Sequence, residues 1–517
     1  MAPSIVRYRG RGSQRVTRFL VVSALALVLA GAVLPVGHST AAVGGLDWPQ
    51  FDLNARHGGV NTQETTITRT NVARLHRLFQ VALPSVADGA PAYLFNVVVN
   101  GAAHDTLFVT TKDGHIVALD AHTGAQLWIN GASAAGCTIN NGGTPCYTTS
   151  SPAADPDRAH VYSYGLDGYV HKYAVATGAE VTGGGWPELA TRKPYDEKGS
   201  SALTVATTRG GARYLYVTNG GYPGDRGDYQ GHVTTINLAD GSQHVFNVAC
   251  SNQVDVHFVE QPGTPDCPQV QTAVWARAGV VYDATTDRIY LAMGNGNYNP
   301  AAYGWGDSVL ALHANGTGAG GSPLDSYTPV NYQQLEDTDA DLGSTAPVLL
   351  SGPPGSTVAH LALQGGKDAK LRLINRDNLS GQGGPGHTGG EVGPVISVPQ
   401  GGEVLTAPAA WTNPLTGRTW VWVTNDNGIS ALRVQLGAGT VPILQTMWQS
   451  GTGGASPIMA GYVLYYAGGN TIRALDPYTG ALLWQDTIGG IHWQSPIVVN
   501  GVLYITDGDG KLTAYGP

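Results

Sequence analysis

The sequence is poor in most of what usually announces chemistry. Only 13% of its 517 residues are charged, and it holds just 4 Met and 7 Phe. Its 4 Cys include no CxxC pair, which excludes a c-type haem attachment and a Cys-rich zinc site. No GxSxG elbow, HExxH pair or phosphate-binding loop occurs, so the signatures of serine hydrolysis, zinc proteolysis and nucleotide hydrolysis are missing. The 15 His are scattered, with none paired at metal spacing on one expected element. A net charge of −9 disfavours nucleic acid as a partner.

Long apolar runs are absent after residue 34. Before it, Arg7, Arg9, Arg11, Arg15 and Arg18 precede the run Phe19 to Leu34, and small residues follow at Ser39, Thr40, Ala41 and Ala42. That order is the pattern of a cleavable secretory signal, expected over residues 1–42. No Arg-Arg pair marks a twin-arginine route, and position 32 is Ala where a lipid anchor needs Cys. The expectation is a secreted, extracytoplasmic chain with no membrane span once the signal is cleaved. Disulfides are permitted there, and the two local pairs, Cys137 with Cys146 and Cys250 with Cys267, are the expected bridges.

What is abundant is 72 Gly, 24 Tyr and 11 Trp, the composition of turn-rich β structure. The phrase ALDAHTGAQLW, Ala118 to Trp128, returns as ALDPYTGALLW, Ala474 to Trp484, with weaker copies such as KYAVATGAEV and TINLADGSQHV between them. Each copy follows a strand of alternating apolar residues, for example DTLFVTT, RYLYVTN and VLYITDG. A small residue and Pro stand before many units, as at Ser151-Pro152, Ala346-Pro347 and Ser495-Pro496. A four-stranded unit repeated eight times predicts an all-β, eight-bladed β-propeller over residues 74–517. The eighth unit stops at Pro517 after three strands, and Arg74 to Leu83 has the pattern to supply the fourth. Residues 43–73 are left as a lead-in segment packing on the ring. Within the phrase, Asp120 and Asp476 suit a side-chain-held turn, Gly124 and Gly480 a positive φ, and Trp128 and Trp484 a structural docking role over the blade face.

Ala118, Asp120, Thr123, Gly124 and Trp128, and again Ala474, Asp476, Thr479, Gly480 and Trp484, resemble the tryptophan-docking repeat of quinoproteins. These are the propellers of alcohol dehydrogenases dependent on pyrroloquinoline quinone (PQQ), and of non-enzymatic relatives that include the outer-membrane assembly propeller. The resemblance implies the fold and leaves the activity open. In the segment Val280 to Pro300 it implies calcium ligation by an amide at Asn297, with Asn295 as the second choice. In the segment Leu335 to Leu350, closest to the polyvinyl alcohol dehydrogenase branch, it implies a catalytic base at Asp339 or Asp341. In Leu363 to Asn378 it implies that Lys367 bonds the quinone. The chain departs from the family pattern in three ways. The adjacent cysteine pair over the cofactor is missing, Arg277 stands where the Trp floor belongs with Trp275 two residues early, and no glutamate matches the remaining calcium ligand. The sequence therefore favours a propeller that binds a small-molecule ligand or an extracytoplasmic protein. The PQQ- and calcium-dependent dehydrogenase is the alternative, to be favoured if a neighbouring loop restores the floor and the third ligand.

Overall fold

The computed structural model describes residues 44–131 and 136–517; the expected export signal lies outside them. Alternating apolar residues and tight Gly turns fold each repeat into an antiparallel sheet of four consecutive strands, and eight such sheets form the ring. Blade 1 runs Ala92–Val99, Ala102–Thr110, Ile116–Asp120 and Gln126–Asn130. Blades 2 to 7 begin with the strands Ala153–Ala154, Thr204–Thr207, Val281–Asp283, Val348–Ser351, Ala409–Thr412 and Ile458–Ala460. Blade 8 has Ile497–Val499, Val502–Thr506 and Lys511–Gly516, and its fourth strand is His76–Ala82 from the other end of the chain. Phe79 pairs with Ala514 and Ala82 with Lys511, so the ring is closed by a strand from the N-terminal side. First strands are mostly buried, as in Ile497–Val499, while the fourth strand His76–Ala82 is mostly exposed. The first strands therefore line the channel. Among the described residues no helix is long and apolar enough to cross a membrane.

The repeated phrase joins neighbouring blades. Asp120 accepts the backbone N–H groups of His122 and Thr123, which holds the turn, and Gly124 sits at φ +73°. Trp128 donates its indole N–H to the Val175 carbonyl of blade 2 at 3.0 Å. Its ring lies over Gly178, where a Cβ would come within 2.5 Å of it. Trp484 donates to the Leu75 carbonyl at 2.9 Å, at the entry to the closing strand. Both expected disulfides are present, with Cα separations of 5.7 Å for Cys137–Cys146 and 6.1 Å for Cys250–Cys267.

The lead-in does more than pack on the ring. Residues 48–61 bond to the first strand of every blade in turn. Trp48 exchanges backbone hydrogen bonds with Tyr93, and Pro49 accepts from Ala154. The Gln50 side chain bonds both backbone groups of Val205, Ala55 accepts from Tyr282, and Arg56 donates to the Leu349 carbonyl. Gly58 accepts from Ala410, Gly59 from Met459, and Asn61 donates to the Val498 carbonyl. This segment forms a floor across the channel. Fully buried Trp48 and Phe51 anchor it, and His57 is held between the Phe51 carbonyl and the Thr204 hydroxyl, at 2.8 Å from each.

Candidate functional site

Above the floor lies a cavity of about 280 Å³. Its walls come from segments entering first strands, which bring Trp275, Arg277, Asp341 and Trp493, and from segments leaving second strands, which bring Asn295 and Lys367. The two long insertions of blades 2 and 3 contribute as well, with Lys198 and Ser200 from one and Tyr222 to Asp225 from the other. Both insertions are therefore part of the wall.

One side is acidic. Asp341 is 4% exposed; one carboxylate oxygen accepts the Asn295 N–H at 2.7 Å and the other lies 2.6 Å from the Lys367 ammonium. Lys367 also reaches Asp339 at 3.1 Å, so it bridges both aspartates, but Asp339 is largely exposed at the rim. Burial raises the pKa of Asp341 from its ordinary value, and Lys367 offsets this only in part. Gly294 is required by this contact, because a Cβ there would fall 2.5 Å from the Asp341 oxygen. Behind it, Asp307 accepts the Leu342 N–H at 2.9 Å and is pushed up to about 8, by burial first and then by its acidic neighbours. Asn295 is buried and lines the cavity, whereas Asn297 is exposed and donates to Gln269 at 3.3 Å. Of the two, the cavity wall holds Asn295. Gly296, at φ +150° between them, turns the chain so that the second side chain leaves the wall.

Asp225, which the sequence did not single out, enters the same cavity from the blade 3 insertion at φ +49° and accepts the Tyr229 hydroxyl at 2.6 Å. Its only sequence signal was the GYPGDRGDYQG stretch interrupting the repeat.

Aromatic and cationic groups adjoin these carboxylates. Trp275 packs edge-on to Trp493 with ring centroids 6.5 Å apart, and the Lys367 ammonium lies 5.5 Å from the Trp275 ring. Trp275 and Arg277, two residues apart, both reach the cavity. Arg277 donates to the Thr149 and Ser200 carbonyls, each at 3.0 Å, and its guanidinium lies 5.6 Å from Trp493 and 5.9 Å from Phe51. Burial lowers it to about 10, which leaves it charged at neutral pH. Beside it, buried Asp88 accepts from His492 at 2.8 Å and from the Trp493 N–H at 3.2 Å.

These walls suit two kinds of guest. Asp341, Asn295 and Asp225 are oxygen donors of the type a hard cation takes. Lys198, Arg277 and Lys367 beside two indoles suit a flat anion, and the Arg277 Nε is buried without a hydrogen-bond partner. The lining therefore carries the types of donor that calcium and PQQ take. Among the described residues, the one cluster of carboxylates and imidazole with ligand atoms within 4.8 Å of one another lies elsewhere, at Asp155, Asp157 and His160. Arg213 already pairs with both of those aspartates, at 3.0 and 3.3 Å.

Comparison with known proteins agrees with the fold. Residues 48–376 match the family model described as glucose/ethanol/alcohol dehydrogenase, beta-propeller domain, and residues 409–516 match one described as outer membrane protein assembly factor BamB. No curated protein is significantly similar in sequence. Among solved structures, the quinohemoprotein alcohol dehydrogenase ADHIIG of Pseudomonas putida HK5 superposes with a TM-score of 0.61 at 14% identity, over 91% of this chain and 80% of that one. A europium-containing methanol dehydrogenase gives 0.61 at 15% identity, over 91% of this chain and 98% of that one. The quinohemoprotein alcohol dehydrogenase of Comamonas testosteroni gives 0.60 at 15% identity, over 91% and 80%. At such identities the structures speak for the fold alone, and the family model covers more than half of the chain. The chain belongs to the family of glucose/ethanol/alcohol dehydrogenase β-propeller domains.

Proposed function

We propose that this protein is an extracytoplasmic PQQ- and calcium-dependent alcohol dehydrogenase. One observation carries the reading: an aromatic floor, Trp275 with Trp493, and a further acidic donor, Asp225, meet Asn295, Asp341 and Lys367 in a single cavity. These are the features whose absence from the linear sequence favoured a binding module. Asp225 and Asn295, with Asp341, would hold calcium, while Lys367 and Arg277 would hold the quinone against Trp275. When bound, the quinone supplies the hydride acceptor and calcium the charge that polarises it.

The chain's own residues do the remaining work. Asp341 accepts the alcohol proton, a task suited to a carboxylate whose proton affinity burial has raised. Lys367 orients Asp341 through the 2.6 Å contact and favours its ionised form against burial. The floor at residues 48–61 closes one end of the channel, so alcohol enters and product leaves by the rim, and water is kept from below. Similarity of the Leu335 to Leu350 segment to the polyvinyl alcohol dehydrogenase branch supports a secondary alcohol as substrate. The two disulfides and the BamB-type match support an extracytoplasmic location.

Calorimetric titration with PQQ and calcium, followed by dye-linked oxidation of alcohols, tests this. Saturable calcium-dependent binding with turnover is expected. Binding without turnover would leave the binding module, the reading favoured by the missing cysteine pair, and no binding at micromolar cofactor would end the PQQ assignment.

A further inference from the structure

Two buried lysines lie five positions apart in the blade 2 insertion, and only one is paired. Lys193 has Glu197 at 3.3 Å and Asp228 at 3.8 Å, so its charge is spent inside the protein, tying the two insertions together. Lys198 follows Glu197 on the short strand Glu197–Lys198, which pairs with Gly220 and Gly221 at the cavity wall. It is 7% exposed and lines the cavity. Among the described residues its ammonium has no hydrogen-bond or ion-pair partner. It has aromatic faces instead, Tyr147 at 4.3 Å and Tyr222 at 6.0 Å. Those rings pack edge-to-face and are clustered with the Cys137–Cys146 bridge.

Asp225, Asp339, Asp341, Lys367 and His492 line the same cavity as Lys198, and the ionisable groups that act on it directly are Asp88, Arg277, Lys112, Tyr147 and Tyr222. The one carboxylate in the second group, Asp88, is already shared between His492 at 2.8 Å and Lys112 at 3.6 Å. An unpaired ammonium in such a place is costly, and an apolar side chain of the same length would avoid the cost. Burial pushes its pKa down to about 7; Arg277 and Lys112 lower it further and Asp88 opposes them. Tyr147 and Tyr222 are raised by burial, Arg277 stays charged and Asp88 is held low by His492 against its own burial.

We propose that Lys198 receives a carboxylate of the aromatic ligand bound in the cavity. The inference deepens the function above and rests on its reading of the cavity as a site for an anionic aromatic ligand. Its signature follows from linkage: a carboxylate beside a partly neutral lysine restores the ammonium, so binding takes up a proton above pH 7 and weakens as pH rises toward the ordinary lysine range. The full chain is titrated with PQQ and calcium at pH 8, in buffers of different ionisation enthalpy. Wild type is expected to take up about one proton per ligand. Lys198→Arg should bind without uptake, because guanidinium is already charged. Lys198→Met should bind about tenfold more weakly, also without uptake, and should melt at a higher temperature than wild type when ligand-free at pH 7. His492→Gln controls for the neighbouring imidazole and should keep the uptake. Unchanged uptake in Lys198→Met, or a lower ligand-free melting temperature in that variant, would overturn the proposal in favour of a structural lysine. If wild type binds no PQQ, the dehydrogenase reading fails separately, and benzene-1,3,5-tricarboxylate becomes the probe. Lys198-dependent proton uptake with that probe keeps the anion subsite, and its absence removes it.

Discussion

The two ends of the channel are built from different parts of the chain. The floor is main chain and fully buried rings, hydrogen-bonded to all eight first strands, and burial disfavours charge on two of its ionisable groups, lowering His57 to about 4 and raising Asp52 well above the carboxylate range. The mouth is made of polar and aromatic side chains, drawn from segments at the ends of blade strands and from two insertions that interrupt the repeat. A floor that binds through backbone groups at every blade fixes the ring whatever the guest. A mouth that presents side chains on insertions sets what the guest is, which is where propeller function varies.

The contrast is broken most sharply at the mouth. Asp341→Asn should lower alcohol oxidation by about 10² to 10⁴-fold, as expected for loss of a general base, with an unchanged far-ultraviolet circular dichroism spectrum. At the floor the damage should be to stability. Trp48→Ala should cost about 3–5 kcal/mol in chemical denaturation, since the side chain is fully buried beneath the ring.

Acid should separate the two ends further. The folded-state pKa of His57 lies below the unfolded value of 6.5, so the unfolded chain binds more protons between the two, and stability falls as pH drops from 6.5 toward 4. A loss of about 3 kcal/mol from this residue is expected over that window. A urea series at pH 7 and pH 4 should show it, and His57→Gln should flatten it. The smallest effect is expected from Asp339→Asn, less than about threefold on turnover, because its contact with Lys367 is exposed to solvent. A loss matching that of Asp341→Asn would move the base to Asp339.

The ring was legible because its signals are local. The Asp120 to Trp128 phrase contains its own turn, capping carboxylate and docking ring, and the period of two in Arg74 to Leu83 was enough to place the strand that closes blade 8. The disulfides were legible for the same reason, each joining cysteines within one insertion. Asp339, Asp341, Lys367 and Asn295 came from resemblance, and all four line the cavity. Asn297 was placed ahead of Asn295 because an extended reading of GNGN carries no information about the φ of +150° at Gly296.

The sequence by itself determined the repeat, the number of blades and the means of closure, since strand period and turn chemistry act over a dozen residues. Only the tertiary structure decided which rim residues face one another. Lys198, Asp225, Trp275 and Trp493 lie in stretches with no repeat of their own, and the circle of blades brings residues almost 300 positions apart to one wall. That meeting depends on the radius of the ring and the path of two braced insertions, neither of which is encoded in any local pattern.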